Sequence, residues 1–156
     1  MNDINFFFGA IQSGEKDRVE VLLKLHPNLV STKDARGFTP LIFASYFDKK
    51  DIVETLLDFN AKVDAADGSG NTALIGVAFK GNTDLASILI KKGADVNAQN
   101  NLGITPLIFA AMYNQTKMVE LLVKNKVGIS LKDNEGKTAL DYAVEKEFEA
   151  IVELLK

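Results

Sequence analysis

The chain has no cysteine, no tryptophan, one histidine and three prolines in 156 residues. Without cysteine there is no disulfide, no thiolate metal site and no cysteine nucleophile. The one histidine, His26, directly precedes Pro27 at what reads as a helix end. That is a surface position, not the place of a general base. The sequence holds no His-Glu-x-x-His, no Gly-x-x-x-x-Gly-Lys-Ser/Thr and no Gly-x-Ser-x-Gly. No residue set for catalysis, cofactor or metal is read from it, and the expectation is a protein that is not an enzyme. The excess of one charge is small, a formal net charge of −3, which argues against nucleic acid as the main partner. The most apolar stretch, Gly103 to Tyr113, is about half of the roughly 18–20 residues a membrane span needs, so no membrane partner is expected. The opening segment, Met1 to Phe8, lacks a basic stretch of the kind that starts a secretory signal. Together these features lead to an expectation of a cytoplasmic protein.

What is present is a period. Apolar residues at 47% and charged residues at 25% suit a folded chain. Four segments align without a gap at a spacing of 33 residues, beginning at Asp34, Asp67, Asn100 and Asp133. Each reads Asp/Asn-x-x-Gly-x-Thr-Pro/Ala-Leu. Repeats of this length stack into a solenoid, each unit burying its apolar face on its neighbours. Within the unit from Asp34, Asp34 to Gly37 has the composition of a type I turn. Thr39 falls at a helix N-cap and Pro40 at the first helical position. A short apolar helix then runs to about Phe47. A second one starts near Lys50 and carries Ile52, Val53, Leu56 and Leu57 at helical spacing. Asn60 suits the left-handed position after a helix. Thr72, Thr105 and Thr138 are the matching caps, and Gly70, Gly103 and Gly136 the matching turn glycines. No linker rich in Pro, Gly or Ser interrupts the series.

These residues resemble the ankyrin repeat. The resemblance is carried by Thr39-Pro-Leu-Ile-Phe-Ala-Ser, Thr105-Pro-Leu-Ile-Phe-Ala-Ala, Ile52-Val-Glu-Thr-Leu-Leu and Gly93-Ala-Asp-Val-Asn-Ala, and it covers nearly the whole chain. It implies an all-α solenoid of five stacked helix-turn-helix units with β-turn fingers. The units are expected at about 1–33, 34–66, 67–99, 100–132 and 133–156, in a single domain whose first and last units act as caps. The first unit is degenerate, with Gly14 and Val19 to Leu23 in the expected places and an exit loop one residue longer. The last unit is acidic, with seven acids against three bases from Asp133 onward. Two departures stand out. The motif histidine is replaced by Ile42, Ile75, Ile108 and Asp141. Gly76 stands where Phe43 and Phe109 stand in the flanking units; either those two rings fill its space or the central unit has a local weak point there.

The resemblance further implies recognition of another protein through a concave face lined by fingers and first helices, without cofactor. Carried over position by position, the candidate partner-binding residues are Arg36, Phe38, Tyr46, Phe47, Ser69, Asn71, Phe79, Lys80, Leu102, Ile104, Met112, Tyr113 and Lys137. Phe47, Phe79 and Tyr113 are expected at the centre. Many of these are aromatic or aliphatic, the composition of an interface. The expected role is an adaptor or inhibitor, acting as a monomer. The alternative is a self-associating structural unit that uses the same apolar patch.

Overall fold

In the computed structural model, residues 3–156 are described; Met1 and Asn2, at the head of the opening segment and of the first unit, lie outside the described residues. Among the described residues the chain forms ten α-helices and no strand. They come in pairs: α1 (Asp3–Gln12) with α2 (Lys16–Leu25), α3 (Pro40–Tyr46) with α4 (Lys50–Asp58), and α5 (Ala73–Lys80) with α6 (Thr83–Lys91). Then follow α7 (Pro106–Met112) with α8 (Thr116–Lys124) and α9 (Ala139–Glu145) with α10 (Glu149–Leu155). The four threonines do cap. The side chains of Thr39, Thr72, Thr105 and Thr138 accept hydrogen bonds from the backbone N–H of Ile42, Ile75, Ile108 and Asp141.

The 33-residue period becomes columns of buried side chains. Leu23, Leu56, Leu89, Leu122 and Leu155 form one column along the even-numbered helices, none more than 4% exposed. Val19, Ile52, Leu85, Met118 and Ile151 form a second, none above 2%. Each leucine buried in this way contributes about 1.5–3 kcal/mol. Because Leu23 keeps the 33-residue step to Leu56, the first unit has no longer exit loop. That expectation is corrected: its exit is folded as a 3-10 helix, Pro27–Ser31. Proline serves there as a helix start, where a missing N–H leaves no bond unmade.

The odd-numbered helices stack in one layer and the even-numbered helices in another. Small residues decide how closely each layer packs. Ala44, Ala110 and Ala143 recur in register on the odd-numbered helices, and all are fully buried. They let those backbones approach, whereas the leucine columns hold the even-numbered helices farther apart. The odd-numbered layer and the turns before its helices make up the inner face. The three isoleucines at the motif histidine's place are buried within this layer, at 7%, 0% and 1% exposure for Ile42, Ile75 and Ile108. Asp141, in the last unit, instead completes a reciprocal cap, accepting from the Thr138 N–H at 2.9 Å.

Candidate functional site: the inner face and its fingers

The fingers are built by one repeated device. The Oδ1 atoms of Asp34, Asp67, Asn100 and Asp133 each accept two hydrogen bonds from N–H groups of their own turn, at 2.9–3.0 Å. Only a short side chain with an acceptor oxygen does this, which explains the Asp/Asn register. Neighbouring fingers are tied together. The Asn101 N–H donates to the Ser69 carbonyl and the Asn134 N–H to the Leu102 carbonyl, each at 3.0 Å. The contact is close: a Cβ on Gly70 would lie 2.9 Å from the Asn101 nitrogen, and one on Gly103 2.8 Å from that of Asn134. Glycine is needed there twice over, since both also have φ near +80°.

Asp34 and Asp133 titrate below the usual carboxylate range. For both, burial opposes the charge. At Asp34 the Phe38 N–H, the Arg36 side chain and the Arg36 N–H outweigh it. At Asp133 the Tyr142 hydroxyl, which donates to Oδ2, outweighs it together with the Lys137 and Glu135 N–H groups and the Lys137 charge. The same hydrogen bond, with burial, pushes the Tyr142 hydroxyl well above its ordinary value. These are structural carboxylates, consumed by their own turns.

On this frame the inner face exposes a strip of large apolar side chains. Leu102 is 64% exposed, Tyr46 54%, Tyr113 48% and Phe79 41%. Phe79 and Tyr113 pair edge to face, and Phe109 closes the group behind them. Arg36, Ser69 and Lys80 are exposed beside the strip, and Lys137 is half-buried. Five further positions expected on the surface are less available. Ile104 is 6% exposed and belongs to the core, a correction; its apolar side chain packs with the buried cluster. Phe47 is half-buried against Phe43, ring centroids 4.8 Å apart, so Tyr46 rather than Phe47 carries the exposed ring of that unit. Met112 and Phe38 are also half-buried against the core. Asn71 is half-buried and accepts from the Asn100 side chain at 2.9 Å.

Cations lie over the aromatic rings of this face. The Arg36 guanidinium is 4.5 Å from the Phe38 ring centre, Lys80 Nζ 5.0 Å from that of Tyr46 and Lys146 Nζ 5.6 Å from that of Tyr113. Lys80 and Lys146 repeat one arrangement: each ammonium donates to the carbonyl ending the preceding first helix, of Tyr46 and Met112 respectively. Lys146 holds in the last unit the register place that Lys80 holds two units earlier, as the sequence alone implies.

The expectation that Phe43 and Phe109 fill the space at Gly76 is corrected for Phe43; Phe109 leans toward Gly76's own unit and walls the space without closing it. Phe43 leans on Phe8, centroids 5.1 Å apart, and Phe109 leans on Phe79 at 5.6 Å. Each ring turns toward the preceding unit. The space beside Gly76 is left as a notch of about 280 Å³ between α3 and α5, open to solvent. A Cβ on Gly76 would meet nothing within 4 Å.

Comparison with known proteins settles the kinship of this architecture. A family model described as ankyrin repeats (3 copies) matches residues 7–100 and again residues 76–156. The chain belongs to the ankyrin-repeat family. Ankyrin repeats are non-enzymatic modules that generally bind other proteins. This ankyrin-repeat chain is also similar to a human protein described as DNA-binding protein RFXANK, 46% identical over 48 residues. That stretch is 31% of this chain and 18% of the human protein, so the chain spans under a fifth of that relative.

Proposed function

We propose that this ankyrin-repeat protein is a non-catalytic adaptor or inhibitor that binds one partner protein through its inner face and fingers. The observation that carries the reading is the exposed strip of Tyr46, Phe79, Leu102 and Tyr113 on a rigid, hydrogen-bonded frame. Large apolar side chains gathered on one face, with polar neighbours around them, are the composition of an interface core and its rim. Rings already packed on one another lose little side-chain freedom on binding. The five helix pairs act in this reading as one binding unit, monomeric and cytoplasmic, and the net charge of −3 supports a protein rather than a nucleic-acid partner. The DNA binding in the name of the human relative is not carried over, because the match spans so little of that protein.

The test is capture of binding proteins on the wild-type chain and on Leu102→Ala/Tyr113→Ala. A partner held by the wild type and lost by the variant, with the melting midpoint unchanged, supports the reading. Partners held equally by both overturn it. The same strip serves a second copy in the self-association alternative, and light scattering at micromolar concentration separates the two.

A further inference from the structure

The four fingers begin with the same kind of short side chain, and in three of them its second polar atom is also partnered. Asp34 Oδ2 accepts from the Arg36 guanidinium, Asn100 Nδ2 donates to the Asn71 side chain, and Asp133 Oδ2 accepts from the Tyr142 hydroxyl. Asp67 is the exception. Its Oδ1 takes the Ser69 and Asn71 N–H groups, and its Oδ2 has no hydrogen-bond or ion-pair partner among the described residues. The register states what is missing. Asp67 and Gly76 stand two 33-residue steps before Asp133 and Tyr142, so the residue placed to serve Asp67 is the glycine. Of the four residues in that place, Phe43, Gly76, Phe109 and Tyr142, only Gly76 lacks a ring.

The notch beside Gly76 is that absent ring's place. Asp67 borders it, and Ile42, Tyr46, Val77 and Phe79 are among its walls. Its volume of about 280 Å³ exceeds the roughly 150 Å³ of a closed apolar cavity that admits benzene. It lies open, so a ring can enter without any helix moving. The charges beside it narrow the choice of occupant. Asp67 repels a carboxylate and offers an acceptor oxygen. Lys80 also borders the notch, held by Asp48 at 3.3 Å and by the Tyr46 carbonyl, and it opposes a second cation. What suits the site is an uncharged ring that donates one hydrogen bond. The filled copy of the site, at Tyr142, is a phenol.

Building on the partner-binding reading above, we infer that the notch at Gly76 is the site for one tyrosine side chain of the partner protein. Its ring lies against Tyr46 and Phe79, and its hydroxyl donates to Asp67 Oδ2 as that of Tyr142 does to Asp133 within this chain. Burial of the ring supplies affinity. The hydroxyl selects tyrosine over phenylalanine, because a bare ring would strip water from the carboxylate and return no hydrogen bond. A glycine in α5 then has a purpose: any larger side chain would fill the site from within.

The test begins with p-cresol, the tyrosine side chain as a free molecule, titrated into the full chain and followed by NMR. It is expected to shift the resonances of residues around the notch. It should bind about tenfold or more tightly than 4-methylanisole, which keeps the ring and the oxygen but has no O–H to donate. Asp67→Asn keeps the finger, since Asn100 does the same work in the next unit, and is expected to abolish that preference. Gly76→Tyr is expected to abolish binding, or Gly76→Leu should the larger ring disturb folding. Random peptides displayed against the full chain are then expected to share a tyrosine. A synthetic consensus peptide is expected to lose about tenfold or more in affinity when that tyrosine becomes phenylalanine. Equal binding of 4-methylanisole, an unchanged preference in Asp67→Asn, or unchanged binding to the filled variants would each overturn the inference. So would peptides that share a tryptophan, a base or no ring, or no enrichment at all while p-cresol also fails to bind. Binding of p-cresol with no tyrosine among the selected peptides would make a free phenolic molecule the occupant, and the partner side chain would fall. Peptide binding lost in Leu102→Ala/Tyr113→Ala but kept in Gly76→Tyr would remove the site and leave the inner-face reading standing. Binding indifferent to all of these would remove both. A dimer of the chain that Gly76→Tyr dissolves would make a second copy the occupant and overturn the inference.

Discussion

Phe79 and Tyr113 meet edge to face across a repeat boundary, with ring centroids 4.5 Å apart, and both remain more than 40% exposed. The two residues sit at different places in their helix-end pairs, yet the stack brings them together. Such a pair is worth about 0.5–1.5 kcal/mol beyond the area it buries, which limits its part in stability. Its exposed faces are left for a partner.

The first prediction follows from that exposure. Phe79→Ala and Tyr113→Ala should each cost clearly less than the roughly 3–5 kcal/mol lost on truncating a fully buried ring. Ile104→Ala, a core position, should cost about 2–5 kcal/mol. Denaturant melts measure both, and a large loss from either ring would place it in the core.

Gly76→Ala should stabilise the chain by about 0.5–1 kcal/mol. The position is inside α5 and the added methyl group meets nothing within 4 Å. A lower melting midpoint would show that the notch is smaller than it looks.

Thr72→Ala should cost about 0.5–2 kcal/mol. The Thr72 hydroxyl accepts from the Ile75 N–H at 3.3 Å and is buried, so water does not replace it. Because α5 already carries Gly76, the loss belongs in the upper part of that range. Urea midpoints of Thr72→Ala and Thr72→Ser decide it, since serine keeps the acceptor.

Asp133 gives a pH dependence with a definite sign. Its carboxyl is held below the unfolded value, so its stabilising contribution is complete at neutral pH. That contribution is lost as pH falls through the unfolded and then the folded value. Stability of the wild type should therefore drop below about pH 4 more steeply than that of Tyr142→Phe, which lacks the hydroxyl donor. Parallel acid limbs in denaturant melts from pH 7 to pH 3 would show that the Tyr142–Asp133 bond does not hold the carboxyl down.

A period repeated four times was enough to read the helix pairs, the threonine caps, the turn glycines and the stacked core from the chain alone. Each of those is set by local backbone chemistry or by a stripe on one helix, and the 33-residue step carries it from unit to unit. The direction in which a side chain leans between units was not readable in that way. Phe47 shares the register of exposed Lys80, Tyr113 and Lys146, and Ile104 that of half-buried Phe38, Asn71 and Lys137; packing turned both further inward. Gly76 looked like a gap that neighbouring rings would close. Phe43 leans away from it onto Phe8, and Phe109 leans onto Phe79 and forms part of its wall, so only the assembled stack left that gap open.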